Sequence, residues 1–337
     1  MCMYLGAACE SAPGPQQESP AGGTAPPQIP LDTFSAERAW GDLQALAQRG
    51  TPGASADPAS ALRSYVTEQL AATRLAVELL ETPDPSGTTD ATTWSHVVAT
   101  APGASSDLFV LVAPLGDRIA SAGARDAEES VSAAALLLEI ARVLSTRSLP
   151  YTTRFVWLAG EQTAASHAPD SAVDLRGSRA LAASMAARGD LSRVRLLVAF
   201  DRICGADLRI ARDLASHRVY REEFFDAASR AGRESVFPRT QDFESPQASH
   251  LAFRSAGLHA VVALVASGSA ATGSGASPDQ GARAQCEAAG LDAVGSVSLD
   301  ALDAIGRRLA KIDRFSRAPL TTLQEGAPGG EARSDSP

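Results

Sequence analysis

Polar residues in this chain collect just past apolar runs. Gly116-Asp117 follows Leu108–Ala113, Gly160-Glu161-Gln162 follows Thr153–Ala159, Asp201-Arg202 follows Val194–Phe200, and Asp126 opens a long apolar stretch. Carboxylates gathered in one place repel, and at least one tends to hold a proton at neutral pH unless a cation sits among them. Other chemistries fit less well. Cys2, Cys9, Cys204 and Cys286 include no C-x-x-C pair, which speaks against a cysteine zinc site. Cys204 and Cys286 are expected as two buried free thiols, a single disulfide being the other reading. No G-x-S-x-G lies between a strand and a helix, which speaks against a serine nucleophile elbow. The run Ser267–Gly281 lacks the lysine and following helix that a phosphate loop needs and reads as a flexible loop. The histidines are His96, His167, His217, His250 and His259. His167 reads as a solvated loop residue and His250 as a supporting or structural one.

The elements that must position these residues follow from apolar periodicity. Leu108–Ala113 and Ala260–Ala266 are wholly apolar, and Thr153–Ala159 and Val194–Phe200 are apolar but for Thr153, Arg154 and Arg195, as buried central strands are. Residues 74–81 and 93–100 read as further strands. Helices are expected over 34–48, 58–72, 128–144, 177–188, 219–231 and 298–315, with Asp57 capping the second and Pro58 in its first turn. Buried strands alternating with long helices predict an α/β domain of three layers around a central mixed, mostly parallel sheet. Ligands of such sheets sit outside the carboxyl ends of the strands, where the polar residues above fall.

Composition narrows the partners. The 337 residues carry a net charge of −9, so there is no basic surplus to meet phosphates, which argues against nucleic acid as a partner. No apolar run is long enough to span a membrane. Residues 1–31 read as a tail or truncated signal plus linker, 32–317 as the domain and 318–337 as a second tail. The segment MCMYLGAAC resembles the end of a bacterial lipoprotein signal, with Cys9 the acylated residue. That implies the cell envelope or secretion, with lipid anchoring through Cys9; an ordinary tail implies the cytoplasm.

Taken in order, several blocks resemble those of zinc-dependent aminopeptidases and glutaminyl cyclases: Leu115-Gly116-Asp117, Gly123-Ala124-Arg125-Asp126, Phe155–Gln162, Leu175–Ala182, Phe200–Leu208 and Ser249–Leu264. The resemblance covers roughly residues 33–315 and implies the zinc-exopeptidase, phosphorylase/hydrolase-like fold. It also implies roles. Family members hold zinc with His, Asp, Glu and a late His, adding an Asp for a second metal, while a Glu beside the ligand Glu is the general base. Asp126 stands at the bridging Asp, Asp201 at the later Asp and Glu161 at the general base. His250 keeps its place, but Ser249 replaces the Asp before it. Leu115 stands where the first His belongs, Gln162 where the ligand Glu belongs, and the late His falls near Ala276–Gln280.

Asp126 and Gln162 are therefore relic metal positions, and Glu161, Asp201 and His250 relic catalytic ones. The resemblance implies a binding or scaffold protein that has lost zinc and catalysis, with no cofactor. The alternative is a diverged, active zinc aminopeptidase or glutaminyl-peptide cyclotransferase acting on peptide N-termini, with zinc as cofactor; an unrelated α/β binding module is a third reading. A peptide or protein N-terminus is the expected partner. Arg125 and Arg202, and Arg118 after the first strand, are candidates for a permanent cation among the carboxylates. Neighbouring side chains point opposite ways, so these arginines alternatively face solvent or the flank of the sheet.

Overall fold

The computed structural model of the chain describes residues 31–51, 55, 57–84, 93–116, 124–163, 173–205, 207–267 and 286–317. The lipoprotein-like segment with Cys9, Asp117, Arg118, His167 and the run near Ala276–Gln280 lie outside the described residues.

Two helices open the domain, α1 (Ala36–Gly50) and α2 (Pro58–Leu70). Their starts follow from local chemistry. The Ser35 side chain accepts the Arg38 N–H, and Asp57 accepts the Ser60 N–H with Pro58 in the first turn, as expected. There follow β1 (Ala76–Pro83), β2 (Thr93–Ala101), β3 (Gly103–Pro114), α3 (Ala124–Ser145) and β4 (Leu149–Leu158). A short hairpin of β5 (Glu161–Thr163) and β6 (Val173–Leu175) leads into α4 (Arg176–Ala187). Then come β7 (Val194–Asp201), β8 (Arg212–Asp213), α5 (Arg218–Arg230), β9 (Phe243–Glu244), α6 (His250–Ser255), β10 (Val261–Val265) and α7 (Ala288–Arg317).

The main sheet runs β1-β2-β4-β3-β7-β10. The pairs β1/β2 and β2/β4 are antiparallel; β4/β3, β3/β7 and β7/β10 are parallel. All four strands expected from the apolar runs are present, in a mixed and mostly parallel sheet. The runs are almost wholly apolar because both faces are covered. Phe109, Leu111 and Ala113 of β3 join one core with α1, α3 and α7, while Leu108, Val110 and Val112 join a second core with α4 and Phe253 of α6. The same alternation holds in β7, with Leu196, Val198 and Phe200 on one side and Leu197 and Ala199 on the other. Helix α3 is buried all round from Ala133 to Leu144, as a helix between sheet and outer helices must be.

The boundary furthest from the sequence expectation is the start of the last helix. Helix α7 begins at Ala288 rather than Ser298. Gly290 and Gly295 weaken the apolar pattern there, yet Gly295 lies against the ring of Phe34, where a β-carbon would collide. Packing, not a helix end, explains that glycine.

Candidate functional site

The carboxyl ends of β4, β3 and β7 form one edge of the sheet. Just past β4 the chain turns sharply at Gly160, whose φ of +78° suits glycine and whose α-carbon faces the ring of Trp94. The turn is fixed from both sides. The Ala159 N–H donates to His96 Nδ1 at 3.1 Å, which puts the imidazole proton on Nε2, 2.8 Å from the Thr82 hydroxyl. His96 is buried, and burial lowers its pKa to about 4, so it stays neutral. The Gly177 N–H donates to the Gly160 carbonyl at 3.1 Å, and Gly177 lies so near the Ala159 carbonyl that no side chain fits. These contacts set the first turn of α4 against Glu161.

Glu161 is 1% exposed. Its Oε1 accepts the Ser178 N–H at 2.6 Å, one of the free amides of the first turn of α4, and its Oε2 accepts the Ser249 hydroxyl at 3.0 Å. Burial pushes its carboxyl up to about 7, the charge of Asp201 adds to that, and the hydrogen bonds from Ser178 and Ser249 pull the other way. A carboxyl that titrates near neutrality can take or give a proton at physiological pH.

Asp201 ends β7, buried. Arg202 follows it with φ 53°, the one non-glycine residue with positive φ among the described residues. That conformation costs on the order of 1 kcal/mol and persists only where the surroundings enforce it. The Arg202 side chain is 8% exposed, and its Nη2 lies 3.7 Å from Asp201 Oδ2. It is therefore buried rather than turned to solvent; among the described residues its ion-pair partner is Asp201, with no second carboxylate bridged. The Cys204 N–H donates back to the Arg202 carbonyl at 3.0 Å. Cys204 in turn is bonded to Cys286, with α-carbons 4.5 Å apart across 82 residues of sequence. The expectation of two free thiols is thereby corrected. Only the packing of the start of α7 beside the end of β7 brings the two together, and nothing local in the sequence encodes that.

The other expected site residues divide. Arg125 and Asp126 lie in the first turn of α3, and Gln162 in β5; their side chains are outside the described residues. His250 opens α6, fully buried, with Nε2 3.2 Å from Asp213 Oδ2, too oblique for a straight hydrogen bond. Burial pushes the Asp213 carboxyl up, but His250, the Ser216 hydroxyl and the Ala215 N–H outweigh it and hold the carboxyl below its usual range. The Ser216 hydroxyl also accepts the Ala263 N–H at 2.9 Å, tying this cluster to β10. His250 thus anchors α6, and its neighbour Ser249 reaches Glu161. The sequence reading missed Ser178 and the donor role of Ser249. The block Leu175–Ala182 held the first signal, since a residue three into a helix carries a free N–H.

Residues 96–310 match the model of peptidase family M28. The chain belongs to that family. No curated protein sequence matches the chain. Among solved structures, this M28 chain is similar to a glutaminyl cyclase from an Acidobacteriales bacterium, with 19% identity, 85% of this chain and 100% of that one covered, and a TM-score of 0.65. The Porphyromonas gingivalis glutaminyl cyclase gives 18% identity, 80% and 98% coverage and a TM-score of 0.66. A leucine aminopeptidase precursor from Bacteroides thetaiotaomicron gives 16%, 82% and 99%, and 0.59. At such identities the likeness establishes the M28 fold. Within it, Glu161, Asp201, Arg202, Ser178 and Ser249 gather at the end of the sheet where open α/β sheets take ligands.

Proposed function

We propose that this M28 protein is a binding or scaffold protein whose zinc site and catalysis have been lost. The observation that carries the reading is the side chain at the position of the family's first His. Leu115 is fully buried in the apolar core, and its N–H continues the β3/β4 pairing to the Leu158 carbonyl at 2.9 Å. An alkyl group there offers a metal nothing, and a neutral Gln162 stands where the ligand Glu belongs. The cationic Arg202 beside Asp201 adds charge of the sign that a zinc ion would meet with repulsion. Among the described residues no group of His, Cys, Asp and Glu is arranged to hold a metal ion. On this reading Leu115 and Gln162 do not suit zinc, so no step is routed through it.

The ligand we propose is a peptide or protein N-terminus, the group on which the resembling enzymes act, held at the edge that carries Glu161. The Cys204–Cys286 bond supports an oxidising compartment, and with it the envelope or secreted location in which a lipid anchor at Cys9 is proposed. No helix among the described residues is long and apolar enough to cross a membrane.

A diverged active aminopeptidase or glutaminyl-peptide cyclotransferase is the second reading. It draws on Glu161, which keeps the general-base position and titrates near neutrality. One experiment separates the two: zinc content of purified, dialysed protein, with turnover of a peptide bearing N-terminal Gln measured on the same sample. The expected result is far less than one equivalent of zinc and no turnover. Stoichiometric zinc with turnover overturns the non-catalytic reading.

A further inference from the structure

Two side-chain nitrogens of Arg202, Nε and Nη2, are buried without a hydrogen-bond partner. They are not an arbitrary pair. In a guanidinium the Nε–H and one Nη2–H point the same way along one edge, forming the fork that accepts the two oxygens of a carboxylate. An arginine stays charged in any protein environment, so the cost of leaving both donors empty cannot be relieved by losing a proton. Asp201 sits beside this edge, yet at 3.7 Å its oxygen is outside hydrogen-bond range. It balances charge without filling the fork.

The backbone underlines the point. Arg202 is held at φ 53°, with its carbonyl tied to the Cys204 N–H and Cys204 bonded to Cys286. Strain of this kind is retained where an element must be aimed. The residue stands at the carboxyl end of β7, on the edge shared with Glu161. A ligand group reaching Nε and Nη2 is shielded from water, where charge-assisted hydrogen bonds are strongest.

We propose that Arg202 is a receptor for a carboxylate: the Nε–Nη2 edge binds a carboxylate group of a small acid or of a peptide chain end, bidentate, at the edge of the sheet beside Asp201. This rests on the reading of the site as a zinc-free binding site, and it adds a ligand group that the peptide N-terminus alone does not supply. A guanidinium serves here where the parent chemistry would have used a metal ion.

The test uses the full chain, equilibrated overnight with each probe at matched ionic strength, with binding read by calorimetry and ligand-observed NMR. The probes are acetate, for a free acid, and N-acetylglycine, for a peptide carboxyl end; acetamide and N-acetylglycinamide are their uncharged partners. Both carboxylates are expected to bind with dissociation constants of about 1 mM or tighter, and the amides at least tenfold more weakly. N-acetylglycine binding at least tenfold tighter than acetate assigns the site to peptide ends, and equal binding assigns it to free acids. Arg202→Met should abolish carboxylate binding, and Arg202→Lys, which keeps the charge but not the fork, should weaken it at least tenfold. Should Arg202→Met fail to fold by circular dichroism, Arg202→Lys carries the test alone. Absence of saturable binding, equal binding of acid and amide, or binding unchanged in the folded variants overturns the receptor. Zinc measured on the same preparation keeps the two proposals apart. Zinc-free protein that ignores carboxylates sinks the receptor alone, whereas stoichiometric zinc with acetate binding indifferent to Arg202 sinks both.

Discussion

Among the described residues, a buried arginine meets a buried carboxylate where the first helices pack together and again at the end of β7, and the two places are built differently. Where α1, α2 and α3 meet, Glu139 lies fully buried on α3, accepting from the Ser35 N–H at 2.9 Å and from Arg38 Nη2 at 2.6 Å. Arg142 donates to Glu139 Oε2 at 3.2 Å, to Gln69 at 2.9 Å and to both oxygens of Asp42, whose Oδ1 also accepts the Tyr65 hydroxyl at 2.7 Å. None of these side chains leaves a buried polar atom without a hydrogen bond. At the end of β7, by contrast, Arg202 leaves Nε and Nη2 unbonded and sits on a strained backbone. A network that satisfies every member rigidifies a fold and asks for nothing more. A buried charge whose donors remain open carries a desolvation cost that nothing else in the described residues offsets, and the proposed carboxylate would offset it. The comparison teaches that burial of charge does not by itself mark a site.

The comparison can be broken at four points. The largest effect is expected in the satisfied network. Arg142→Met leaves Asp42 and Glu139 buried with too little positive charge and should destabilise the domain by about 3–5 kcal/mol in urea unfolding. A loss under about 1 kcal/mol would show that the network is not structural. Next is the bond behind Arg202. Replacing Cys204 and Cys286 by serine frees a loop of 82 residues, and chain entropy sets the expected loss at about 4 kcal/mol. Equal midpoints with and without reductant would remove the disulfide from the account.

Glu161→Gln should act in the opposite direction. The folded carboxyl titrates at about 7 against an ordinary value of 4.5, so folding favours its protonated form. That contribution is fully present below about pH 4.5 and is lost as pH rises through 7. The glutamine variant should therefore match the parent at pH 4.5 and exceed it by about 3 kcal/mol at pH 8. Parallel stability profiles from pH 5 to 8 would mean that Glu161 is ionised throughout. Smallest is Ser249→Ala, which removes a hydroxyl donor from Glu161 and should cost about 1 kcal/mol, mainly above pH 7 where the carboxyl is charged. The same change should move the titration of Glu161 upward, and an unmoved midpoint would show that the Ser249 contact is not made in solution.

Much of this protein follows from its sequence alone. Four largely apolar runs become four adjacent strands because a strand buried on both faces leaves little room for polar residues, a property of each segment by itself. The order of the blocks around Asp126, Glu161 and Asp201 suffices for the family, and the alkyl side chain of Leu115 speaks about metal without coordinates. Tertiary structure decided the rest. It brought Cys204 to Cys286 across 82 residues, turned the buried guanidinium of Arg202 beside Asp201, set Ser178 and Ser249 on the two oxygens of Glu161, and gave His250 to Asp213. Each of these depends on which segments meet at an edge and on which way a side chain turns there. Local propensity carries neither, because a residue's partners across a fold are set by the packing of whole elements, and its proton affinity by the water that this packing removes.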